Sequence, residues 1–481
     1  MFERRDGHMI CDGHITLLPG FVDLHVHFRE PGFSAKETVA SGSKAALRGG
    51  YAAVCAMPNL NPPPDTPAHL QIELDIIKRD ALLPVFPVGC ITMGQKGEGT
   101  LSEIEKLAPH VCGFSDDGVG VRDGRLMREA MERARACGKP ILSHCEDKSL
   151  GDGPASEWVP LARDLELARQ TGCHYHVCHV STKESVELIR KAKQDGAPVT
   201  AETAPHYLLL TEDDREDDGR FRMNPPLRSE GDRAALLRGL LDGTIDCVAT
   251  DHAPHTREEK SRGFAGSACG IVGLETAFPV LYTKLVRTGM MTLEMLVERM
   301  SDTPRRLLES WTGGKIEGTC AWDLEKKYVI DPKFFKSKGE STPFAGWEVY
   351  GECREWKIKN WPERDGIAPT EMSRLFDMDE ERKPLLQRIR ERPGMYLGKV
   401  SLTAFGHFMN GYAFRNYEPR DPVPPFPDSG LYEYIVEKYN LSRSYYNAIG
   451  HCLNLCDGDD EAAFWKYFEL LDEYTEVNGC T

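Results

Sequence analysis

The chain predicts an α/β fold centred on an eight-stranded parallel barrel, and three patterns in its 481 residues carry that prediction. From residue 20 to about 308, strand-like runs alternate with amphipathic helical stretches, as in a (β/α)8 barrel. Most of those runs end in a cluster of His, Asp or Asn, and chemistry on such barrels belongs at the C-terminal ends of the strands. After Cys353 the composition shifts to a charged, proline-interrupted stretch and then to helical patterns, which predicts a second, small, mainly α domain.

Residues 1–19 are too short for a domain. They read as a truncated lead-in, with Asp12-Gly13-His14 as a turn into strand residues 15–18. The predicted barrel spans 20–317. Its strands are 21–28, 51–57, 82–91, 111–115, 140–144, 174–179, 199–207 and 245–250, with amphipathic stretches such as 36–48, 125–137, 183–193 and 233–241 between them. Residues 318–353 read as a remnant β-subdomain. Residues 354–371, with Pro362, Gly366 and Pro369, read as a linker. Residues 372–481 read as a helical domain of unknown function, broken by the proline-rich run 419–427.

Composition excludes several classes. A net charge of −16 argues against a nucleic-acid-binding surface. The 15 cysteines are scattered, and Cys55, Cys90 and Cys247 lie inside apolar strands. Buried thiols in a reducing cytosol fit this better than a disulfide framework. No apolar run approaches a membrane span, and the first 14 residues have no apolar signal-peptide core. A cytoplasmic protein without membrane or nucleic-acid partners is expected.

The organising stretch is Gly20–Pro31, G-F-V-D-L-H-V-H-F-R-E-P. In a strand, His25 and His27 point to one face, where two imidazoles can grip one divalent metal. Arg29 continues that parity and places a fixed positive charge beside it. Further strand ends supply Met57-Pro58-Asn59, Ser115-Asp116-Asp117-Gly118, His144-Cys145-Glu146-Asp147, Cys178-His179-Val180-Ser181, Asn224-Pro225-Pro226-Leu227-Arg228 and Asp251-His252-Ala253-Pro254-His255. Cys145 and Cys178, of opposite parity to the neighbouring histidines, read as core thiols. His206 and His252 read as supporting histidines that bind no metal.

These motifs together resemble the dihydroorotases of the amidohydrolase superfamily, in the class found as a separate bacterial enzyme. The resemblance covers residues 17–353. It implies a TIM-like metal-dependent hydrolase barrel and a zinc-dependent, reversible hydrolysis of dihydroorotate to N-carbamoyl-L-aspartate in pyrimidine biosynthesis. By position it implies one zinc held by His25, His27 and Asp251, a second held by His144 and His179, and Asp117 bridging the two. Asp251 is also the implied general base. Arg29, Asn59 and His255 are implied to hold the substrate α-carboxylate, with Asn224 and the backbone at Cys269 and Gly270 against the ring. The family commonly has an aromatic residue where this chain has Cys269. Physically, a divalent cation lowers the pKa of water towards ~7 and polarises a carbonyl oxygen, which cyclic amide hydrolysis needs. A guanidinium offers a carboxylate a planar two-pronged donor.

Two departures from the family pattern set further expectations. The short lead-in predicts that the returning segment, with Phe344 and Trp347, has unpaired edges and exposed apolar surface. Residues 147–156 replace a longer loop, which bears on access to the site. The alternatives are a hydantoinase- or allantoinase-like cyclic amidohydrolase, or an inactive, metal-binding scaffold for aspartate carbamoyltransferase. Hydantoinases bridge their metals with a carboxylated lysine, and no lysine stands beside Asp117. A scaffold has no need of the base Asp251. A homodimer or a complex with aspartate carbamoyltransferase is the expected assembly.

Overall fold

A computed structural model describes residues 3–5, 8–11, 15–358, 390, 434–439, 452–453, 455–456 and 459–478. It divides into two compact units, residues 1–377 and 378–481. The predicted turn at 12–14 and most of the predicted linker and helical domain lie outside the described residues. The second unit contributes a helix, Asp460–Asn478, with Phe464, Tyr467 and Phe468 buried.

The barrel strands are β4 (Phe21–Val26), β5 (Tyr51–Ala56), β6 (Val85–Pro87) with β7 (Gly89–Cys90), β8 (Phe114–Ser115), β9 (Ile141–Ser143), β10 (Tyr175–Val177), β11 (Val199–Thr203) and β12 (Cys247–Val248). They pair in parallel as β4-β5-β6 and β12-β11-β10-β9-β8-β7. Only Val88 separates β6 from β7, and its N–H donates to Ala56 O at 2.9 Å. On the other side, His27 N donates to His252 O at 2.8 Å beside a parallel bridge from Val26 to His252. These contacts join the two sheets into a barrel. The third predicted strand is thus split at Val88, and the seventh stops at Thr203. Pro205 lacks an N–H and opens the short helix Pro205–Leu209 instead.

Helices alternate with the strands because their sequences cap them. Thr38 begins the helix Val39–Arg48 with a capping box, Thr66 caps Pro67–Asp80, Thr182 caps Lys183–Gln194, and Ser229 caps Glu230–Asp242. One apolar cluster fills the space around the strands, and a smaller one, with Val22, Leu24, Cys55, Cys178, Cys247 and Trp311, fills the lower barrel. Val22 and Leu24 belong to the inner cluster but Val26 to the outer one. The change coincides with a register shift between Asp23 and Val26. Buried Asp23 holds that kink by accepting from His25 N and Thr250 N, each at 3.1 Å. The shift turns His25 and His27 inward at the mouth.

A five-stranded antiparallel sheet, β1-β2-β3-β13-β14, stands beside the barrel. It is built from β1 (Glu3–Arg5), β2 (His8–Cys11), β3 (Ile15–Pro19), β13 (Gly318–Val329) and β14 (Glu348–Ile358). This corrects the expectation of unpaired edges and exposed apolar surface. β13 is paired on both sides, by β3 and β14. Leu18, Trp322 and Phe344 are each 1% exposed, and Trp347 is half-buried with its ring 5.0 Å from Phe344. Even a short lead-in pairs with β13 once strand residues 15–19 are in register. β14 also runs to Ile358, five residues into the stretch read as a linker.

Candidate active site

The strands deliver the site residues to one mouth, but often by turns rather than by strand alternation. Arg29, His179 and Asp251 have left-handed backbone, with φ of 60°, 36° and 47°. Each follows a strand end within three residues. Such a conformation costs a non-glycine residue roughly 1–3 kcal/mol, and an observed outlier of this kind points to function. The parity argument for Arg29 is therefore corrected. The strand ends at Val26, and the turn brings the guanidinium inward.

Asp117 is the centre of the cluster. Its Oδ1 lies 3.4 Å from His25 Nε2, 3.6 Å from His144 Nδ1 and 3.7 Å from His179 Nε2, and its Oδ2 lies 3.7 Å from His27 Nε2. Asp251 Oδ1 is 3.1 Å from His27 Nε2 and 3.5 Å from His25 Nε2. His144 Nδ1 and His179 Nε2 are 2.8 Å apart. All six side chains are buried. Asp116 faces elsewhere: its carboxylate accepts from Ile91 N, Thr92 N, Thr92 Oγ1 and Gly97 N, and so builds the loop after β7.

A divalent cation fits these residues. His25 Nε2 and Asp117 Oδ1 are buried without a hydrogen-bond partner. Each such buried group costs ~1–3 kcal/mol unless something engages it. The ligand atoms of His25, His27 and Asp251 lie within 4.8 Å of one another, as do those of His25, Asp117 and His179. Imidazole and carboxylate suit zinc among the common divalent ions.

The remaining residues line a cavity of about 240 Å³ above this cluster: Arg29, Asn59, Gly118, Lys148, Asn224, Ala253, Cys269 and Gly270, with His27, Asp117, His144, His179 and Asp251 as its floor. Arg29 Nε donates to Pro254 O at 3.3 Å. Asn59 Nδ2 donates to Asp117 O at 2.8 Å, and its Oδ1 is buried without a partner. Asn224 Nδ2 donates to Glu146 Oε1 at 3.3 Å. His255 stands behind the cavity: Nε2 donates to Cys269 O at 2.7 Å, and Nδ1 accepts from Lys36 Nζ at 3.3 Å. Cys269 is exposed. Gly270 has φ 136°, and a Cβ there would lie 2.5 Å from Ala253 O, so only glycine fits.

Residues 14–163 match the family model described as Dihydro-orotase-like. The dihydroorotase of Anoxybacillus flavithermus is 47% identical over 378 residues, covering 74% of this chain and 87% of that protein. That of Staphylococcus epidermidis is 49% identical over 359 residues, covering 70% and 84%. The chain belongs to the dihydroorotase family. Among solved structures, the L-hydantoinase (dihydropyrimidinase) from Arthrobacter aurescens is similar with a TM-score of 0.64 and 25% identity, covering 72% of this chain and 84% of that one. The D-hydantoinase (dihydropyrimidinase) from Thermus sp. has a TM-score of 0.62 at 24% identity. The fold is that of the amidohydrolase barrels, and the protein is a cyclic amidohydrolase of a metal-dependent family. Among the described residues no helix is long and apolar enough to cross a membrane.

Around the dihydroorotase cluster, burial and neighbours set the charge states. Burial pushes the Asp251 carboxyl up, but the His27 hydrogen bond and the surrounding imidazoles outweigh it and hold it well below the usual range. Burial, with the Arg29 and Lys36 charges beside it, pushes His255 down to about 4, so that imidazole is neutral. Four supporting residues escaped the sequence reading. Glu202 accepts from His25 Nδ1 at 3.0 Å and from His176 Nε2 at 3.1 Å, and those bonds outweigh burial and bring it to about 2. Glu146 Oε2 lies 3.1 Å from His144 Nε2. Lys148 lines the cavity. Buried Lys260 donates to Arg222 O, Ala268 O and Gly270 O, tying the loop at Cys269 to the segment before Asn224. Glu202 alone had a signal, a carboxylate of inward parity on a strand that also leads to the mouth. Cys145 and Cys178 are buried thiols, and His252 bonds Glu37 and Gly273 N.

Proposed function

We propose that this protein is a zinc-dependent dihydroorotase that opens and closes the dihydroorotate ring, interconverting it with N-carbamoyl-L-aspartate in pyrimidine biosynthesis. The observation that carries the reading is near-half identity to dihydroorotases across most of their length, with a His/Asp cluster opening into a cavity of one-ring size. His25, His27 and Asp251 would hold one zinc, His144 and His179 the second, and Asp117 would bridge them. When bound, the cations lower the pKa of water and polarise the amide carbonyl.

The chain's own residues supply the rest. Asp251 Oδ1 faces the cluster, and the residue lines the cavity. As an ionised carboxylate it accepts the proton from the attacking water and returns it to the leaving ring nitrogen. Arg29 presents the guanidinium edge not engaged by Pro254 to the substrate carboxylate. Asn59 lines the same cavity, and the neutral His255 ring lies 3.5 Å from Arg29 Nη2. Asn224 and the backbone at Cys269 and Gly270 bound the ring. Glu202 fixes the Nδ1–H of His25, which leaves its Nε2 lone pair facing the cluster.

The test is metal analysis of the purified chain together with ultraviolet detection of dihydroorotate ring opening. Two zinc per chain with turnover is expected. Preference for hydantoin or allantoin over dihydroorotate would overturn the substrate assignment. Full zinc occupancy without turnover on any of the three would favour a scaffold for a partner such as aspartate carbamoyltransferase.

A further inference from the structure

A file of hydrogen bonds descends through the barrel interior from the His25 ring. His25 Nδ1 meets Glu202 Oε1 at 3.0 Å, and Glu202 Oε2 meets His176 Nε2 at 3.1 Å. His176 Nδ1 meets Thr200 Oγ1 at 2.8 Å, and the same hydroxyl meets His174 Nε2 at 2.8 Å. The file ends where Trp311 Nε1 donates to His174 Nδ1 at 3.1 Å. Trp311 belongs to the helix Thr303–Thr312 that closes the lower barrel, and it is 4% exposed. None of these contacts below Glu202 touches the cavity.

Each bond in this file has a direction, and the two ends dictate the same one. An indole N–H can only donate. His174 Nδ1 therefore accepts, and the neutral ring carries its proton on Nε2. That N–H donates to Thr200 Oγ1, which leaves the single hydroxyl hydrogen to donate to His176 Nδ1. His176 then carries its proton on Nε2 and donates it to Glu202. From the other end, a carboxylate can only accept, so both His176 Nε2 and His25 Nδ1 must be N–H donors. With both rings neutral, nothing in the file is left to choose.

We propose that Trp311, Thr200, His174 and His176 are positioning residues that, from the far end of the barrel, fix the orientation of Glu202, the carboxylate that holds the His25 tautomer. A donor at the closed end sets two histidines and a hydroxyl, these orient Glu202, and Glu202 holds the Nδ1–H of His25, which leaves Nε2 as the nitrogen that could meet a cation. Metal-ligating histidines commonly rest their second nitrogen on a carboxylate; here the orienting chain extends through three further side chains to a tryptophan. The proposal rests on the reading of His25 as a metal ligand for its consequence, but not for the tautomer pattern itself.

The experiment is nitrogen-15 NMR of histidine-labelled, metal-free full-length protein. Nε2–H tautomers at His174 and His176 are expected. Any other tautomer at His174 or His176 would overturn the relay, whether or not the protein binds zinc. Three variants then test the coupling. Thr200→Val removes the hydroxyl at constant shape; Glu202 still fixes the His176 tautomer, but the His176 ring loses its second anchor, and zinc binding is expected to weaken about tenfold in chelator competition. Thr200→Ser should restore it, and Trp311→Phe should act like Thr200→Val but more weakly. Zinc affinity unchanged within twofold in folded Thr200→Val would overturn the proposal. Wild-type protein that shows the tautomers but binds no zinc would instead sink the metal reading.

Discussion

Replacing Arg29 with methionine separates carboxylate recognition from everything else the residue does. The side chain makes two separable contributions. Its Nε donates to Pro254 O at 3.3 Å, and its remaining N–H edge faces the cavity. Methionine keeps the apolar stem but leaves Pro254 O without that donor, a loss common to all substrates. The cavity-facing edge matters only to a substrate that carries the carboxylate. A hydrogen bond to a charged group contributes roughly 1.5–3 kcal/mol, which converts to about 10–150-fold in kcat/KM. The assay is ring opening of dihydroorotate and of dihydrouracil, which lacks the carboxylate, by wild type and Arg29→Met at equal zinc content. Dihydroorotate should lose about 10–150-fold more than dihydrouracil, and the Pro254 contribution cancels in the comparison. Equal losses on both substrates would show that the carboxylate binds elsewhere.

Four further outcomes are expected. Asp251→Asn should retain part of its zinc but lose about 10²–10⁴-fold in kcat, because the amide cannot accept the proton; near-normal kcat would refute the base assignment. Glu202→Gln should weaken zinc binding about 10–100-fold in chelator competition. Burial pushes His174 down to about 4, whereas in the unfolded chain it titrates near ~6.5. The unfolded state therefore binds more protons between these values, so metal-free protein should lose about 1–2 kcal/mol of stability from this group as pH falls from 7 to 5, and urea titrations of His174→Gln should show a shallower slope. Deleting residues 378–481 should leave zinc content and dihydroorotate turnover per mole unchanged, because all candidate site residues lie between His25 and Gly270 and within the first compact unit.

Most of the barrel was legible because its strands are apolar runs bounded by turn residues and its helices carry caps. Val88 and Pro205 show the limit. An apolar run does not announce where one strand gives way to the next, and a proline inside a predicted strand marks its end more reliably than the hydrophobic pattern does. The lead-in shows a different limit. Residues 15–19 looked too short to matter, but pairing is a property of two segments, and β13 supplied a partner some 300 positions away. Sequence distance hides that kind of contact. The candidate ligands were legible as a set because polar residues at strand ends stand out. Lys148, Glu146 and Lys260 were not, because Glu146 lies in a loop and the two lysines in single-turn helices between loops, whose path no local pattern specifies.

Alternation explains why the relay went unread and why the site nevertheless assembled. On β10, His176 and Cys178 face the barrel interior by ordinary strand parity, and by the same parity His179 should face away. Its left-handed backbone reverses that direction, so one short strand supplies both an interior positioning group and a residue at the mouth. Asp251 and Arg29 reach the mouth by the same device. A parity rule therefore finds the interior layer, and a strand-end rule finds the mouth, but only the strained turns join the two. Their cost persists because the surroundings over-determine them. Thr250 N is held by Asp23, His252 O receives His27 N, and Val180 N donates to Glu202 O at 2.8 Å, so the residue beside each turn at β10 and β12 is tied to a neighbouring strand. The barrel thus holds the candidate ligands where relaxed backbone would not leave them.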